Sequence, residues 1–252
     1  MKKLLCLLFL ASACAPTKKE NQETADVTIS VTEAAALPSL TEAQKAEGWK
    51  LLFDGKSMSG WQIFKNRKNN TWEVKDGALH CKPVNESTTG DGDERSDIMT
   101  TEEYENFEFT CDWKISPKGN SGIMFRVTEE FEQPYYSGPE YQLKDDIGYP
   151  EELKGLAETG ANYGMHITTS KTLKPVGEWN STKIIANGKH IEHWLNGQKV
   201  VEYELGSADW LKRKEGSKWK DAKGYGMAPK GHIDLQDHGH EVWFKNLMIK
   251  TL

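Results

Sequence analysis

Residues 107–115 alternate strictly between apolar and polar side chains. Every odd position is apolar and every even position is polar or charged, in the order Phe-Glu-Phe-Thr-Cys-Asp-Trp-Lys-Ile. Successive side chains of a β-strand point to opposite faces, so this period of two predicts a long strand with one face in a core and the other in water. Half-buried strands of this kind are typical of antiparallel sheets.

Ten further segments have strand-like composition at short spacing along the chain. They are residues 49–53, 72–74, 78–81, 122–127, 141–144, 183–187, 190–195, 199–203, 231–236 and 242–250. The pairs Asp76-Gly77, Asn187-Gly188 and Asn196-Gly197 are tight-hairpin signals between them. Because strands do not alternate with helices, the fold class we expect is all-β, a two-sheet antiparallel sandwich or jelly roll with short helical loops.

The composition excludes two classes of protein. The chain of 252 residues has a formal net charge of −6 and no long basic run, so we expect no nucleic-acid partner. Hydrophobic residues at 37%, with 9 Trp among them, are too many for a disordered chain. We expect one domain over residues 46–252, with its oligomeric state left open.

The N-terminus has the plan of a secretory signal peptide over residues 1–13, with an apolar run too short to span a bilayer. Cys14 directly follows small residues, as in bacterial lipoproteins. We therefore expect an exported, membrane-anchored lipoprotein, periplasmic or on the cell surface, with lipid on Cys14 and a flexible tether over residues 14–45. An ordinary signal peptide with an incidental Cys14 is the alternative. Thr41 is a plausible cap for one helical turn that follows it.

Two cysteines remain in the expected domain. Cys81 and Cys111 each fall within a predicted strand. Export permits a disulfide between them, whereas strand cysteines are also commonly small buried hydrophobes. Both alternatives stay open.

Polar side chains share one face of the predicted strand at 141–144. Glu140, Gln142 and Lys144 alternate with Tyr141 and Leu143. If the apolar pair faces the core, the polar face lines a surface or a concave cleft. Glu140 is then a candidate general acid or base and Gln142 its hydrogen-bonding companion. A solvated outer face is the alternative.

The strand at 190–195 contributes His193 and Trp194 on opposite faces. His193 is a candidate for proton transfer, although a histidine among apolar neighbours is more often a core residue. Trp194 is a candidate platform for a sugar ring, or part of a packing layer.

The densest polar cluster covers residues 232–240. Gln236, Asp237 and His238 suit substrate binding and proton transfer, because a carboxylate can orient an imidazole. His238 and His240 could share a divalent metal, which is left open because no third ligand is identified by spacing. A polar turn before the last strand is the alternative.

Three other residues are binding candidates: Arg126, which needs an oxygen partner if it is buried, and the Trp179-Asn180 pair. The Lys/Arg run within residues 207–221 predicts a short helix or loop with a solvated charged face. Motifs for phosphate loops, nucleophile elbows or zinc proteases are lacking in the sequence.

Nine blocks in order resemble the 3-keto-disaccharide hydrolase domain family. They are LFDGKSMSGW, WEVKDGAL, NFEFTCDWKI, GNSGIMFR, GPEYQLKD, GEWN, IEHWLNG, GHIDLQDHG and VWFKNLMIK, at 52–61, 72–79, 106–115, 119–126, 138–145, 177–180, 191–197, 231–239 and 242–250. The resemblance implies a concanavalin-like jelly roll that acts on glycosides oxidised at C3 of the sugar. Lys144 departs from the apolar residue expected before Asp145.

A ketone at C3 acidifies the C2 hydrogen, so that a base can remove it and the C1 substituent can leave, after which water adds. This chemistry needs a base near C2, an acid near the glycosidic oxygen and a group that stabilises the C3 enolate. We expect Glu140 and His193 to transfer protons to and from the oxidised saccharide. The expected binding residues are Arg126, Gln142, Asp145, Trp179, Asn180, Trp194, Gln236, Asp237 and His238.

Three rival functions remain from the sequence. A non-catalytic carbohydrate-binding module is the strongest, because jelly rolls host lectins as readily as enzymes. A conventional glycanase would need a second carboxylate close to Glu140, where the sequence has Gln142 instead. A structural envelope protein fits the polar cluster at 232–240 least.

Overall fold

The computed structural model of the chain describes residues 37–84, 94–149 and 153–252. The expected signal peptide, Cys14 and the tether up to residue 36 lie outside the described residues. Within the described part, none of the helices has the length and apolar character needed to cross a membrane.

The described chain forms thirteen strands and two α-helices. In chain order they are α1 (Glu42–Ala46), β1 (Trp49–Leu51), β2 (Trp61–Ile63), β3 (Trp72–Lys75), β4 (Ala78–Cys81), β5 (Ile98–Thr100), β6 (Phe107–Ile115), β7 (Asn120–Val127), β8 (Glu140–Lys144), β9 (Asn180–Asn187), β10 (His190–Leu195), β11 (Gln198–Glu204), α2 (Ala208–Glu215), β12 (His232–Leu235) and β13 (Val242–Thr251). Short 3-10 turns lie at Phe64–Asn66, Pro134–Tyr136 and Leu153–Gly155.

Eight strands make the larger antiparallel sheet. Its order is β11-β10-β9-β6-β13-β4-β3, and β1 also pairs with β13. β6 lies in the middle, with its odd positions buried and its even positions half-buried. The strand predicted from the alternation of residues 107–115 is therefore confirmed, with one side of the strand in the core.

Five strands make the smaller sheet, in the order β2-β5-β12-β7-β8. The two sheets pack face to face around one apolar core, with Phe107, Trp113, Phe125, Tyr141 and Phe244 among its largest members. The expected all-β, two-sheet antiparallel architecture is confirmed. Strands β2 and β5 were not predicted, because three residues are too few to display a period.

Two of the three predicted hairpin turns form at the predicted residues, whereas Asn187 still belongs to β9 and the third turn is Gly188-Lys189. Asp76 and Gly77 both have positive φ, 50° and 74°, and so do Asn196 and Gly197, 48° and 82°. Two consecutive positive φ values are the requirement of a type I′ turn, whose twist matches that of the strands it joins.

The two domain cysteines are free thiols, both buried. β4 carries Cys81 and β6 carries Cys111, and β13 lies between these strands. Strands are about 4.8 Å apart, so residues two strands apart are beyond the Cα separation of about 7 Å that a disulfide allows. The buried-hydrophobe alternative therefore describes this pair.

Two segments outside the strands matter for the boundaries of the domain. α1 begins after Thr41, whose side chain accepts a hydrogen bond from the backbone N–H of Gln44 in a capping box. Gln44 Nε2 lies 3.8 Å from Met248 Sδ, so this described end of the expected tether contacts the sandwich. α2 begins after Ser207, and its Trp210 is buried.

Candidate active site

The smaller sheet carries polar side chains on the face turned away from the core. The register pairs Gln142 with Gly122, Glu140 with Met124, and Met124 with Asp234. Directly paired residues of an antiparallel sheet share a face. Because Tyr141 lies in the core, the opposite face presents Glu140, Gln142 and Asp234.

A cleft of about 380 Å³ opens on this face. Its polar lining residues are Asn120, Glu140, Gln142, Lys218, Gln236 and His238, and its aromatic ones are Tyr135, Tyr136, Tyr163 and Trp219. Four of the eleven expected catalytic and binding residues, Glu140, Gln142, Gln236 and His238, meet here. The segments that supply them are far apart in sequence and are brought together by the pairing of β7 with β8 and β12.

Glu140 is the buried acid of the cleft. Only 3% of the residue is exposed. Burial raises the pKa of Glu140 to about 8, against an opposing effect from the Lys218 charge. The carboxyl group is therefore protonated at neutral pH and can donate a proton to a leaving oxygen.

Three side-chain amides line the same cleft as this carboxyl group, those of Asn120, Gln142 and Gln236. Gln142 Nε2 donates to Asn120 Oδ1 at 2.6 Å, which fixes the orientation of both amides. Gln236 Oε1 is buried and has no hydrogen-bond partner among the described residues. A sugar hydroxyl in the cleft would supply the donor that this oxygen needs.

A pair of acids, Asp97 and Asp234, lies close enough to Glu140 to interact with it electrostatically. Asp234 is fully buried, and neither of its carboxylate oxygens accepts a hydrogen bond from the described residues. Burial and the neighbouring Asp97 charge raise the pKa of Asp234 well above its usual range. Burial likewise raises the pKa of Asp97 to about 7. Asp234 therefore keeps its proton and can donate it to Asp97, which avoids the repulsion of two like charges.

His193 lies in the core between the sheets, where none of it is exposed. Its Nδ1 contacts the Gly160 carbonyl oxygen at 3.0 Å, and its ring packs against Tyr141 at 4.9 Å between centroids. Burial lowers its pKa to about 4, so it is neutral at physiological pH. This position favours the core alternative over the expected proton-transfer role, because β8 separates the ring from the outer face that carries Glu140.

Arg126 is also outside the cleft. Its guanidinium donates to the backbone carbonyls of Glu105, at 2.7 Å, and Gly188, at 2.8 Å. The oxygen partners that burial demands are thus supplied by the chain itself, and the group holds loops together rather than facing a ligand.

The two expected tryptophan platforms lie on the larger sheet. Lys245 Nζ lies 4.1 Å from the centre of the Trp179 ring, and Lys183 Nζ lies 4.3 Å from that of Trp194. These lysines extend from the outer face of the sheet, so both rings are held there by cation–π contacts. Neither belongs to the residues that line the cleft.

Asp145 and Asn180 line a different cavity, of about 650 Å³. Much of its wall is apolar, with Trp113 and Ile115 at one side. Asp145 there accepts backbone hydrogen bonds from Lys118, Ile147 and Gly148 and so organises a turn. The smaller cleft is the stronger active-site candidate because its carboxyl group is not committed to a turn.

Asp237 is a structural anchor. Its carboxylate, with no exposed side-chain surface, accepts from Arg95 Nε at 2.9 Å and from the Thr71 hydroxyl at 2.6 Å. His238, which follows it, lines the cleft and stacks on His240 with ring centres 5.4 Å apart. The Asp237 backbone N–H also donates to Asp97 Oδ1 at 2.8 Å, which ties this turn to the acidic pair.

The cluster of potential metal ligands found among the described residues does not include any residue that lines the cleft. Over residues 37–84, 94–149 and 153–252, the group of three potential ligands within 4.8 Å of one another is His190, Glu192 and Glu202, on β10 and β11. Lys199 Nζ already contacts both of those carboxylates, at 3.3 Å and 2.6 Å. A metal at His238 and His240 stays a prediction.

The sequence prediction missed several cleft residues. Lys218 and Trp219 belong to a lysine-rich run that was expected to be solvated. Lys218 is exposed as expected, but Trp219 is 3% exposed and packs on Tyr225. The tryptophan within that run was the available signal. Asp234 lies within the polar cluster expected at 232–240, whereas Asp97 carried no such signal, because its approach to Asp234 depends on the pairing between β5 and β12.

The two-sheet sandwich carries a buried acid in a cleft lined by amides and tyrosines, and these groups suit a polar ligand with flat apolar faces such as a sugar. A crystal structure of a proposed glycosyl hydrolase from Parabacteroides distasonis superimposes with a TM-score of 0.77 at 39% identity, over 86% of this chain and 100% of that one. A second such structure from the same organism gives a TM-score of 0.60 at 28% identity, over 81% and 99% of the two chains.

The sequence profile of the 3-keto-alpha-glucoside-1,2-lyase-like domain matches residues 48–250, and the chain belongs to this family. A 3-keto-disaccharide hydrolase from Bacteroides thetaiotaomicron is 31% identical, over 94% of this chain and 91% of that protein. The resemblance seen in the sequence is confirmed, and the protein is a glycoside-cleaving enzyme of this type.

Proposed function

We propose that the enzyme cleaves glycosides already oxidised at C3, by elimination across C1 and C2 followed by addition of water. The observation that carries this proposal is Glu140, a carboxyl group with a pKa of about 8 in the floor of a cleft. A neutral carboxylic acid at physiological pH is suited to protonate a leaving glycosidic oxygen.

The remaining cleft groups fit the other requirements of the reaction. His238 carries an imidazole, the side chain suited to take a proton near neutral pH, and we assign it the C2 hydrogen. Gln142 and Gln236 offer amides to the hydroxyl groups of the ring. Removal of the C2 proton and departure of the C1 substituent give a 1,2-unsaturated ketone, and water returns hydroxide to C1 and a proton to C2.

The experiment is turnover of 3-keto-trehalose by the purified full-length protein in D₂O, with trehalose as the unoxidised control. Elimination and hydration place one solvent deuterium at C2 of the released 3-keto-glucose, whereas direct hydrolysis leaves that hydrogen in place. A substrate deuterated at C2 should also react more slowly. Cleavage without solvent deuterium at C2 would rule out the elimination route. Repeating the assay with a chelator tests the predicted metal.

The carbohydrate-binding alternative rests on the aromatic side of the cleft, where Tyr135 and Trp219 offer flat faces to a sugar. It predicts saturable binding of oxidised and unoxidised sugar alike without release of product. Turnover of the keto sugar by the wild type and its loss in Glu140→Gln would reject that alternative.

We also propose that the chain is exported and anchored to a membrane through lipid on Cys14, in support of which stand the basic start, the short apolar run and the small residues before Cys14. Mass spectrometry of the mature N-terminus would identify an acylated cysteine at position 14. An unmodified N-terminus at another residue would reject the anchor.

A further inference from the structure

Lys218 is held over the aromatic side of the cleft. Trp219, next in sequence, is buried, donates its indole N–H to the Tyr163 carbonyl at 2.9 Å and stacks on Tyr225 with ring centres 4.7 Å apart. The preceding Lys218 consequently has its Nζ 3.9 Å from the centre of the Tyr163 ring and 4.6 Å from that of Trp219. Ring faces attract an ammonium group, so these contacts hold a flexible side chain at the cleft.

The ammonium group also acts on the cleft electrostatically. Of the ten described residues that line the cleft, Lys218 alone is a lysine or arginine. Its charge favours the ionised form of Glu140, although burial still leaves the pKa of Glu140 at about 8. The positive charge and the buried acid therefore face the same small volume.

We propose that Lys218 is a catalytic residue that stabilises the enolate oxygen at C3 of the oxidised sugar. This inference rests on the proposed function above. When His238 takes the C2 proton, the electron pair of the C2–H bond forms the C2–C3 double bond and places negative charge on O3. The enolate then reforms the ketone and expels the C1 oxygen, which Glu140 protonates. Lys218 keeps its protons throughout and contributes charge alone.

The same charge explains selection of the oxidised sugar. An unoxidised glucoside has a hydroxyl group at C3 and forms no enolate, so the ammonium group has no developing charge to stabilise. An interaction that strengthens only in the transition state raises kcat rather than ground-state affinity. A fixed donor or charge aimed at a developing oxyanion typically contributes about 10²–10³ in rate.

The test isolates enolate formation from bond cleavage. The 3-keto derivative of 1,5-anhydroglucitol lacks the exocyclic oxygen at C1 that leaves from a glycoside. The full-length enzyme in D₂O can therefore exchange the C2 hydrogen without cleaving a glycosidic bond, and NMR follows this exchange directly. We expect Lys218→Met to slow this exchange by about 10²–10³-fold and Lys218→Arg to retain part of the rate. Affinity for unoxidised 1,5-anhydroglucitol should be unchanged. Exposed Lys220, two positions away, provides the matched control Lys220→Met.

The possible failures are distinguishable. If Lys218→Met exchanges the C2 hydrogen as fast as the wild type, the role of Lys218 is overturned and the proposed function stays intact. Lack of both exchange and cleavage in the wild type would overturn the proposed function, and this inference with it. An equal loss in Lys220→Met would show that charge on the segment, rather than position in the cleft, is responsible.

Discussion

The Glu140 carboxyl group fills the space that a side chain at Gly122 would need. A Cβ atom built on Gly122 would overlap Glu140 Oε1 and would lie 2.8 Å from the carboxyl carbon of Glu140, closer than real Cβ contacts come. The carboxyl group of Glu140 therefore lies across the backbone of β7, where only a glycine leaves room. The glycine of one strand thus sets the position of the acid on its neighbour.

Gly122→Ala should displace the Glu140 carboxyl group without unfolding the sandwich. Misplacement of a catalytic group by about 1 Å can reduce the rate by about 10²-fold, so we expect a loss of that size in kcat/KM on 3-keto-trehalose. Crowding in a packed region should destabilise the fold by about 1–3 kcal/mol, which urea unfolding would measure.

Gly216→Ala is the matched control for this substitution. A Cβ at Gly216 would lie 3.6 Å from the Lys212 carbonyl oxygen, which is ordinary van der Waals contact. This variant should keep full activity. Full activity in Gly122→Ala as well would mean that the position of the Glu140 carboxyl group has no bearing on catalysis.

Glu140→Gln should make the protein more stable at alkaline pH while slowing turnover by about 10²–10⁴-fold. The folded pKa of about 8 exceeds the ordinary value of 4.5. Between these values the unfolded chain loses a proton that the folded chain keeps, so stability falls as pH rises. Below pH 4.5 both states are protonated and the penalty vanishes. The urea midpoints measured at pH 4.5 and at pH 8.5 should therefore differ less from each other in Glu140→Gln than in the wild type.

The pH dependence of the wild-type rate should also reflect the raised pKa of Glu140. A general acid with a pKa of about 8 is lost above that pH, so kcat/KM on the keto sugar should decline there. Exposed Glu130 supplies the control, since Glu130→Gln should change neither profile. A rate that rises through pH 8 instead would identify Glu140 as the base.

His193→Ala should destabilise the fold by about 2–4 kcal/mol at pH 7 and leave kcat per folded molecule unchanged, because the ring fills core space. The folded pKa of about 4 lies below the ordinary 6.5. Its neutral form is favoured on folding, so the wild type loses stability as pH falls from about 6.5 towards 4. The destabilisation by His193→Ala should consequently shrink by about 2 kcal/mol at pH 5. Normal stability with lost turnover would instead place His193 in catalysis.

Local periodicity was sufficient for most of the fold. β4, β6 and β10 begin and end at the predicted residues, because alternation and hairpin turns are local properties of the sequence. β2 and β5 were missed, since a three-residue strand shows no period. Their pairing with β12 nevertheless completes the sheet that carries the cleft.

The candidate site was harder to predict, because periodicity gives the face of a strand but not what covers it. Alternation placed Glu140 and Gln142 on one face of β8, and that face lines the cleft. His193 lies on the face of β10 that packs in the core. Lys218 looked like one charge in a solvated run. Its position follows from the burial of Trp219 against Tyr225, a contact that spacing alone does not reveal.

Asp237→Ala should weaken the fold and leave sugar affinity unchanged. The Asp237 carboxylate binds Arg95 and the Thr71 hydroxyl and has no exposed side-chain surface, so no substrate atom reaches it in this arrangement. Removal of one partner from a buried ion pair typically destabilises by about 3–5 kcal/mol. Exposed Asp221 gives the control Asp221→Ala, which should unfold at the wild-type urea concentration. Calorimetric binding of 3-keto-glucose would show unchanged affinity in both variants. Weakened sugar binding in Asp237→Ala at wild-type stability would return Asp237 to the substrate-binding residues. The loss of a residue that only stabilises the fold would lower the stability, and would not weaken binding while the stability stays unchanged.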